Sequence, residues 1–219
     1  MVERCPDKTE VPGSIPGVPT KPKFSAGQVR QMKKRTRCAW VPEGNQMYEK
    51  YHDEEWGIPV WDDRKLFEFI VLESAQAGLS WAVVLKKREG YRKAFAEFDP
   101  KRVARFTERD VAALLSNPAI IRNRQKINAA IANAKTFLMI QKEFGSFSEY
   151  MWRFVNGKTI KHRIMEISGY PKFIPEAVEL AKDLKKRGFR FFGPTVTYAH
   201  MQAVGMVNDH MVRCFCHRP

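Results

Sequence analysis

From Asp62 to Ala203 the apolar residues recur at helical spacings, and strict alternation of apolar and polar residues is scarce. This pattern argues against most sheet architectures, because a half-buried strand needs a period of two. The stretch after Asp62 is the densest. Leu66, Phe67, Phe69, Ile70, Val71 and Leu72 leave little polar face, so this helix is expected to be buried. Gly78 ends it, and Ser80 stands where it can cap the next helix. That helix is read through Trp81, Val84 and Leu85 towards Phe98, where Asp99-Pro100 breaks it. Thr107-Glu108-Arg109-Asp110 has the form of a capping box, with Asp for the usual Glu, before Val111 to Leu115. Ile127 to Met139 is a long amphipathic stretch, and Pro175 to Arg187 is another helix with Gly188 as its stop. There is no internal repeat. The expected fold class is all-α.

Residues 1–36 read differently, with Gly13-Ser14, Pro16-Gly17, Pro19 and a basic run at Lys33-Lys34-Arg35. They are expected to be a disordered basic tail, and residues 37–217 a single domain. Basic residues outnumber acidic ones nine to three in residues 1–37 and 29 to 21 in the remainder, so the body is cationic without its tail. A net charge of +14 points to a polyanionic partner, most often nucleic acid. No stretch of 18 apolar residues suits a membrane span. Glu3, Asp7, Lys8, Glu10 and several prolines do not make an export signal, and four cysteines (5, 38, 214 and 216) do not make a disulfide scaffold. The expectation is a cytoplasmic, bacterial-type monomer, associated with the nucleoid through DNA.

Thiols and imidazoles stand at both ends of the body. Cys38 and His52 lie near its start; His210 and Cys214 lie near its finish at a spacing of four, which one helix face can present together. Two sulfurs and two imidazoles suit a single tetrahedral zinc, and four protein ligands close the site, making it structural. Such an ion would tie the two ends together. Cys216 and His217 compete as ligands, and His-x3-Cys taken alone is more often an ordinary packed pair than a metal site.

Glu73 falls on the apolar stripe of the densest helix, three residues after Ile70, which itself follows Leu66 by four, and four before Ala77. A buried carboxylate needs a partner, a metal or a task, and a neighbouring Arg or Lys is one possible partner. Trp40, Tyr48, Tyr51, Trp56, Trp61 and Trp81 are concentrated nearby in the sequence. Flat rings beside a carboxylate form a receptor for a flat cation. Phe191-Phe192-Gly193-Pro194-Thr195 then opens a helix after Lys185, Lys186, Arg187 and Arg190, and the free amides at a helix start can hold a phosphate.

These residues fall into a pattern. Arg37-Cys38-Ala39-Trp40, Tyr51-His52-Asp53-Glu54-Glu55-Trp56-Gly57, Leu72-Glu73, Gln76-Ala77-Gly78-Leu79-Ser80-Trp81, Ile120-Ile121-Arg122, Phe192-Gly193 and Val207-Asn208-Asp209-His210 resemble the 3-methyladenine DNA glycosylase I family of the helix–hairpin–helix DNA glycosylase superfamily. The likeness covers residues 37 to about 216. It implies an all-α glycosylase-like fold with a structural zinc on Cys38, His52, His210 and Cys214, joining the two ends of the body. It implies base recognition by Glu73, stacking on Trp81, a hydrogen bond from Tyr51, and further pocket aromatics at Trp40 and Tyr48. DNA contacts are expected at Leu79, Gly193, Thr195 and Arg190.

The implied reaction is excision of 3-methyladenine from alkylated double-stranded DNA by base flipping and hydrolysis of the N-glycosidic bond, in base-excision repair. From Phe191 to His210 there is no lysine to form a Schiff base, so a monofunctional enzyme is expected. The superfamily's aspartate falls on Asn208, which cannot act as an anion or a base. Ser74, Ala75 and Ala39 depart from the family's usual residues and bear on the pocket walls. They leave open a broader alkyl-base range; a silent, zinc-stabilised DNA-binding module is the other alternative.

Overall fold

The computed structural model describes residues 35–217. The expectation for the tail therefore falls almost wholly outside the described residues. Nine α-helices occur among those described: α1 (Gln46–Glu54), α2 (Asp63–Gln76), α3 (Trp81–Ala94), α4 (Pro100–Val103), α5 (Glu108–Ser116), α6 (Arg124–Phe144), α7 (Phe147–Trp152), α8 (Pro175–Arg187) and α9 (Pro194–Ala203). Two short strands, β1 (Ile160–Lys161) and β2 (Val207–Asn208), pair in parallel, with Ile160 opposite Val207. The body is α-helical, as its periodicity requires.

Helix α2 is the centre of the fold. Leu66, Phe67, Phe69, Ile70 and Leu72 are fully buried, and α3, α6, α7 and α9 pack around the helix. Each such side chain contributes roughly 1.5–3 kcal/mol of hydrophobic stabilisation. Polar groups fix both ends of the helix. At its start, Asp62 caps Lys65 N, and Asp63 accepts from the Phe147 and Ser148 amides at 2.7 and 2.8 Å, which joins α2 to the start of α7. At its finish, Lys126 of α6 donates to the carbonyls of Ala75 and Ala77 at 2.8 and 2.6 Å, placing a cation at the negative end of the helix dipole.

Two local expectations require correction. Helix α3 stops at Ala94 rather than running to Phe98, because Ala96, Glu97 and Phe98 take left-handed φ values of 53°, 58° and 56°. That turn buries Phe95 and Phe98 on the core. Ser80 occupies the position before α3, but its side chain makes no capping hydrogen bond. The capping box before α5 is present, with Asp110 receiving both the backbone and the hydroxyl of Thr107.

Candidate active site and metal centre

A cavity of about 240 Å³ opens between α1, α2, α3 and α9. Trp40, Tyr48, Tyr51, Trp56, Glu73, Gln76, Trp81, Tyr170, Ala199 and Gln202 line it. All five expected pocket residues therefore meet here. Tyr51 and Trp81 present their rings with centroids 5.3 Å apart, and Trp40 stands edge-on to Trp56 at 4.9 Å and to Tyr48 at 6.2 Å. The walls are aromatic because α1, which packs on α3, carries Tyr48 and Tyr51 three residues apart, and Trp56 follows in the turn just past its end.

Glu73 is 3% exposed, and its Oε2 lies 2.8 Å from Nδ1 of His200. The partner is thus a histidine on α9, not an Arg or Lys. His200 Nε2 is buried and has no hydrogen-bond partner among the described residues. A proton on Nδ1 satisfies the pair, which makes His200 the donor and Glu73 the acceptor. Burial pushes the Glu73 carboxyl above its ordinary pKa, and His200 offsets part of that rise. Burial, with the Glu73 charge next, also pushes Tyr51 well above the usual phenol range, so its hydroxyl keeps its proton. Ser74 and Ala75 are buried but do not line the cavity, so these two departures from the family pattern leave its lining unchanged.

Leu79 is 41% exposed on the turn between α2 and α3, three residues past Gln76 and two before Trp81. Gly78 supplies that turn with a φ of 79°. Residues 188–193 join α8 to α9, and Arg190, Gly193 and Thr195 are exposed there. The segment is pinned from behind: buried Asn133 donates to the Arg190 carbonyl at 3.0 Å and accepts from its amide at 2.8 Å. Lys185 and Lys186 are exposed, whereas Arg187 is engaged by Asp183 and Glu143. Gly193 caps α9 with φ −76°, and a Cβ there would meet open space.

Cys38, His52, His210 and Cys214 form the second cluster; all four are buried, with ligand atoms within 4.8 Å of one another. His210 and Cys214 do not lie on a helix. They stand in the turns after β2, and the Cys214 amide closes one of these turns on the Met211 carbonyl at 2.7 Å. Sulfur-to-nitrogen separations are 3.6 Å (Cys38–His210), 3.4 Å (Cys214–His52) and 3.6 Å (Cys214–His210). A tetrahedral zinc with ordinary bond lengths would set such edges at about 3.6 Å. The outer groups fit as well. Asp53 lies 2.8 Å from His52 Nδ1 and is itself held by Arg37, while His210 Nε2 donates to the Trp56 carbonyl at 3.0 Å.

With the Cys38 hydrogen bond first, and the two imidazoles beside it, Cys214 is drawn far below the usual thiol range, a thiolate suited to a cation. Cys216 belongs to an overlapping group with His52 and Asp53, whereas His217 Nδ1 lies 3.0 Å from the His210 carbonyl. Gly57 is needed beside this cluster, since its φ is +76° and a Cβ would stand 3.0 Å from His210 Nε2.

The sequence reading missed His200, Tyr170 and Gln202. His200 carries the same signal as Glu73, a polar residue on the inner face of an apolar helix. Tyr170 lies in a segment without periodicity, and nothing local marks it.

Fold and site define an α-helical protein with a buried Cys2His2 cluster and a separate aromatic cavity lined by one buried carboxylate. A family profile described as methyladenine glycosylase matches residues 40–217, and the chain belongs to that family. It is 48% identical over 181 residues to a DNA-3-methyladenine glycosylase of Haemophilus influenzae, covering 83% of this chain and 97% of the relative. A crystal structure of 3-methyladenine DNA glycosylase I shares 50% identity at a TM-score of 0.81, over 84% of this chain and all of that one. A substituted form of 3-methyladenine DNA glycosylase I in complex with 3-methyladenine matches at 37% identity and a TM-score of 0.78, over 81% and 95% of the two chains.

Proposed function

We propose that this protein is a monofunctional DNA glycosylase that releases 3-methyladenine from alkylated double-stranded DNA. The observation that carries the reading is Glu73, buried at an aromatic cavity with one oxygen held by His200. At about 240 Å³ the cavity lies below the ~300–1,000 Å³ of pockets for drug-sized ligands, a scale that suits one base better than a whole nucleotide. The base enters by extrusion from the duplex, which costs a few kcal/mol, less for a damaged base. Trp81 takes its face, while Glu73 and Tyr51 take its polar edge.

The methylated base is cationic while attached to the sugar and departs neutral when the bond breaks, so no proton donor is required. Water then forms the new C–O bond at the electron-poor sugar carbon and gives up one proton to solvent. Glu73 is the residue assigned to catalysis: it orients the base and offers negative charge beside the cationic reactant. No lysine lines the cavity, in keeping with hydrolysis rather than strand cleavage through a Schiff base.

Duplex DNA is held by the exposed amides and side chains of Gly193, Thr195 and Arg190, with Leu79 filling the space left by the base. Helix α9 links these events. Its first turn faces the backbone, and Gln202, seven residues on, is about 10 Å further along the same axis. The Cys2His2 cluster holds one structural zinc. The protein acts as a monomer in the cytoplasm; no helix of the described residues is long and apolar enough to cross a membrane.

Counting bases released from methylated duplex tests the reading. Release of 3-methyladenine without strand cleavage is expected. Equal release of 7-methylguanine would replace it with a broad-range enzyme, and DNA binding without release would leave a silent binding module.

A further inference from the structure

Asp209 is fully buried, and donors converge on its carboxylate. The Tyr198 hydroxyl and Gln202 Nε2, the latter at 2.6 Å, meet Oδ2, and His162 Nδ1 lies 2.7 Å from Oδ1. The Asp209 carbonyl accepts from the Tyr170 hydroxyl at 3.0 Å. Two of these partners, Gln202 and Tyr170, also line the cavity. A carboxylate among donors only accepts, so Gln202 turns its amino end to Asp209. That leaves the amide oxygen as the free acceptor of a residue that lines the cavity. Glu73 is sorted in the same way: His200 holds Oε2, and the second oxygen remains an acceptor. Groups behind the wall thus fix the polarity of the wall before any ligand arrives.

We propose that Asp209 and Gln202 make the cavity select a purine with an amino group at position six over one with a carbonyl there. Asp209 is a positioning residue, and Gln202 is the residue that determines specificity. The inference rests on the cavity being a base pocket, and it supplies what charge and stacking cannot. Adenine and guanine methylated at N3 are both flat and both cationic in DNA, so Trp81 and the charge of Glu73 attract each. They differ at position six, where adenine donates and guanine accepts. An amide oxygen and a carboxylate oxygen welcome the donor; against a carbonyl they leave lone pairs facing lone pairs and no hydrogen bond.

The test uses full-length protein and duplex DNA methylated so that it carries both 3-methyladenine and 3-methylguanine. Wild type is expected to release the adenine product in excess. Gln202→Met removes the acceptor and should lower the ratio of the two products about tenfold, the scale of one hydrogen bond. Asp209→Asn should lower it too, because an amide at that position can donate and no longer dictates how Gln202 turns. A merely structural role would reduce both products in proportion and keep the ratio, and that result overturns the proposal. Should Asp209→Asn fail to fold, Gln202→Met decides. Binding of the two free bases, read by quenching of tryptophan fluorescence, separates this inference from the reading beneath it. A wild-type preference for free 3-methyladenine, lost in Gln202→Met, supports the inference even if no base is released from DNA. Equal binding of the two bases by wild type overturns it.

Discussion

Replacing Glu73 with Gln is the sharpest perturbation of the proposed chemistry. The substitution keeps volume and leaves an oxygen that can still accept from His200 Nδ1. It then turns an amino group into the cavity where the second carboxylate oxygen had been. One charge-assisted hydrogen bond to the base is lost, and a donor faces the base's own donor. Charge-assisted bonds contribute roughly 1.5–3 kcal/mol, so single-turnover release of 3-methyladenine should fall by about 10- to 150-fold. Stability should move the other way. Burial raises the folded-state pKa of Glu73 above the ordinary 4.5, so its contribution to stability is present below pH 4.5 and is lost as pH rises through the raised value. Gln carries no such loss, and the variant should melt higher than wild type at neutral pH. Wild-type activity, which needs the ionised form, should decline on acidification while the pH is still above 4.5. Full activity in Glu73→Gln, or a lower melting temperature together with lower activity, would refute the argument.

Three further outcomes follow from the structure. Asp53→Asn weakens the group that orients His52, and competition with a chelator should show zinc affinity reduced about 10- to 100-fold. Leu79→Ala should lower release from duplex DNA about tenfold or more, since a fully buried leucine contributes roughly 1.5–3 kcal/mol, while binding of free 3-methyladenine is unchanged. Arg190→Ala should weaken DNA binding regardless of sequence and reduce the slope of log affinity against log salt by about 1. An unchanged slope would remove Arg190 from the phosphate contacts.

What could be read from the residues follows the range of the forces involved. Helices α2, α6 and α8 were legible because burial imposes a period on neighbouring residues. Glu73 stood out because a carboxylate breaks that period. Its partner was not legible, since His200 is 127 residues away and a pairing across the core leaves no local mark. The same holds for Asp209, an ordinary residue in sequence that three side chains surround in the fold. The spacing of His210 and Cys214 suggested a helix face, yet turns present both to the cluster. Ligand geometry needs only convergent atoms, and many backbone paths supply them. Arg187 shows the converse: sequence places it in a basic run, but Asp183 and Glu143 already engage its charge.

The cluster and the cavity are parts of one construction. Tyr51 and His52 are neighbours on α1, one lining the cavity and the other a candidate ligand. Trp56 gives its ring to the cavity and its carbonyl to His210. Asp209 arranges Gln202 and Tyr170 from the residue next to His210. The separation between the cluster and the base-facing walls is therefore a matter of one side chain or one peptide. A metal at the cluster would hold the start and finish of the body together and, through those shared residues, the aromatic walls as well. Chelation should for this reason loosen binding of the free base before it unfolds the protein. The two signals to compare are quenching of cavity tryptophans by 3-methyladenine and loss of helical ellipticity. Simultaneous loss of both would mean that the cluster serves the fold alone.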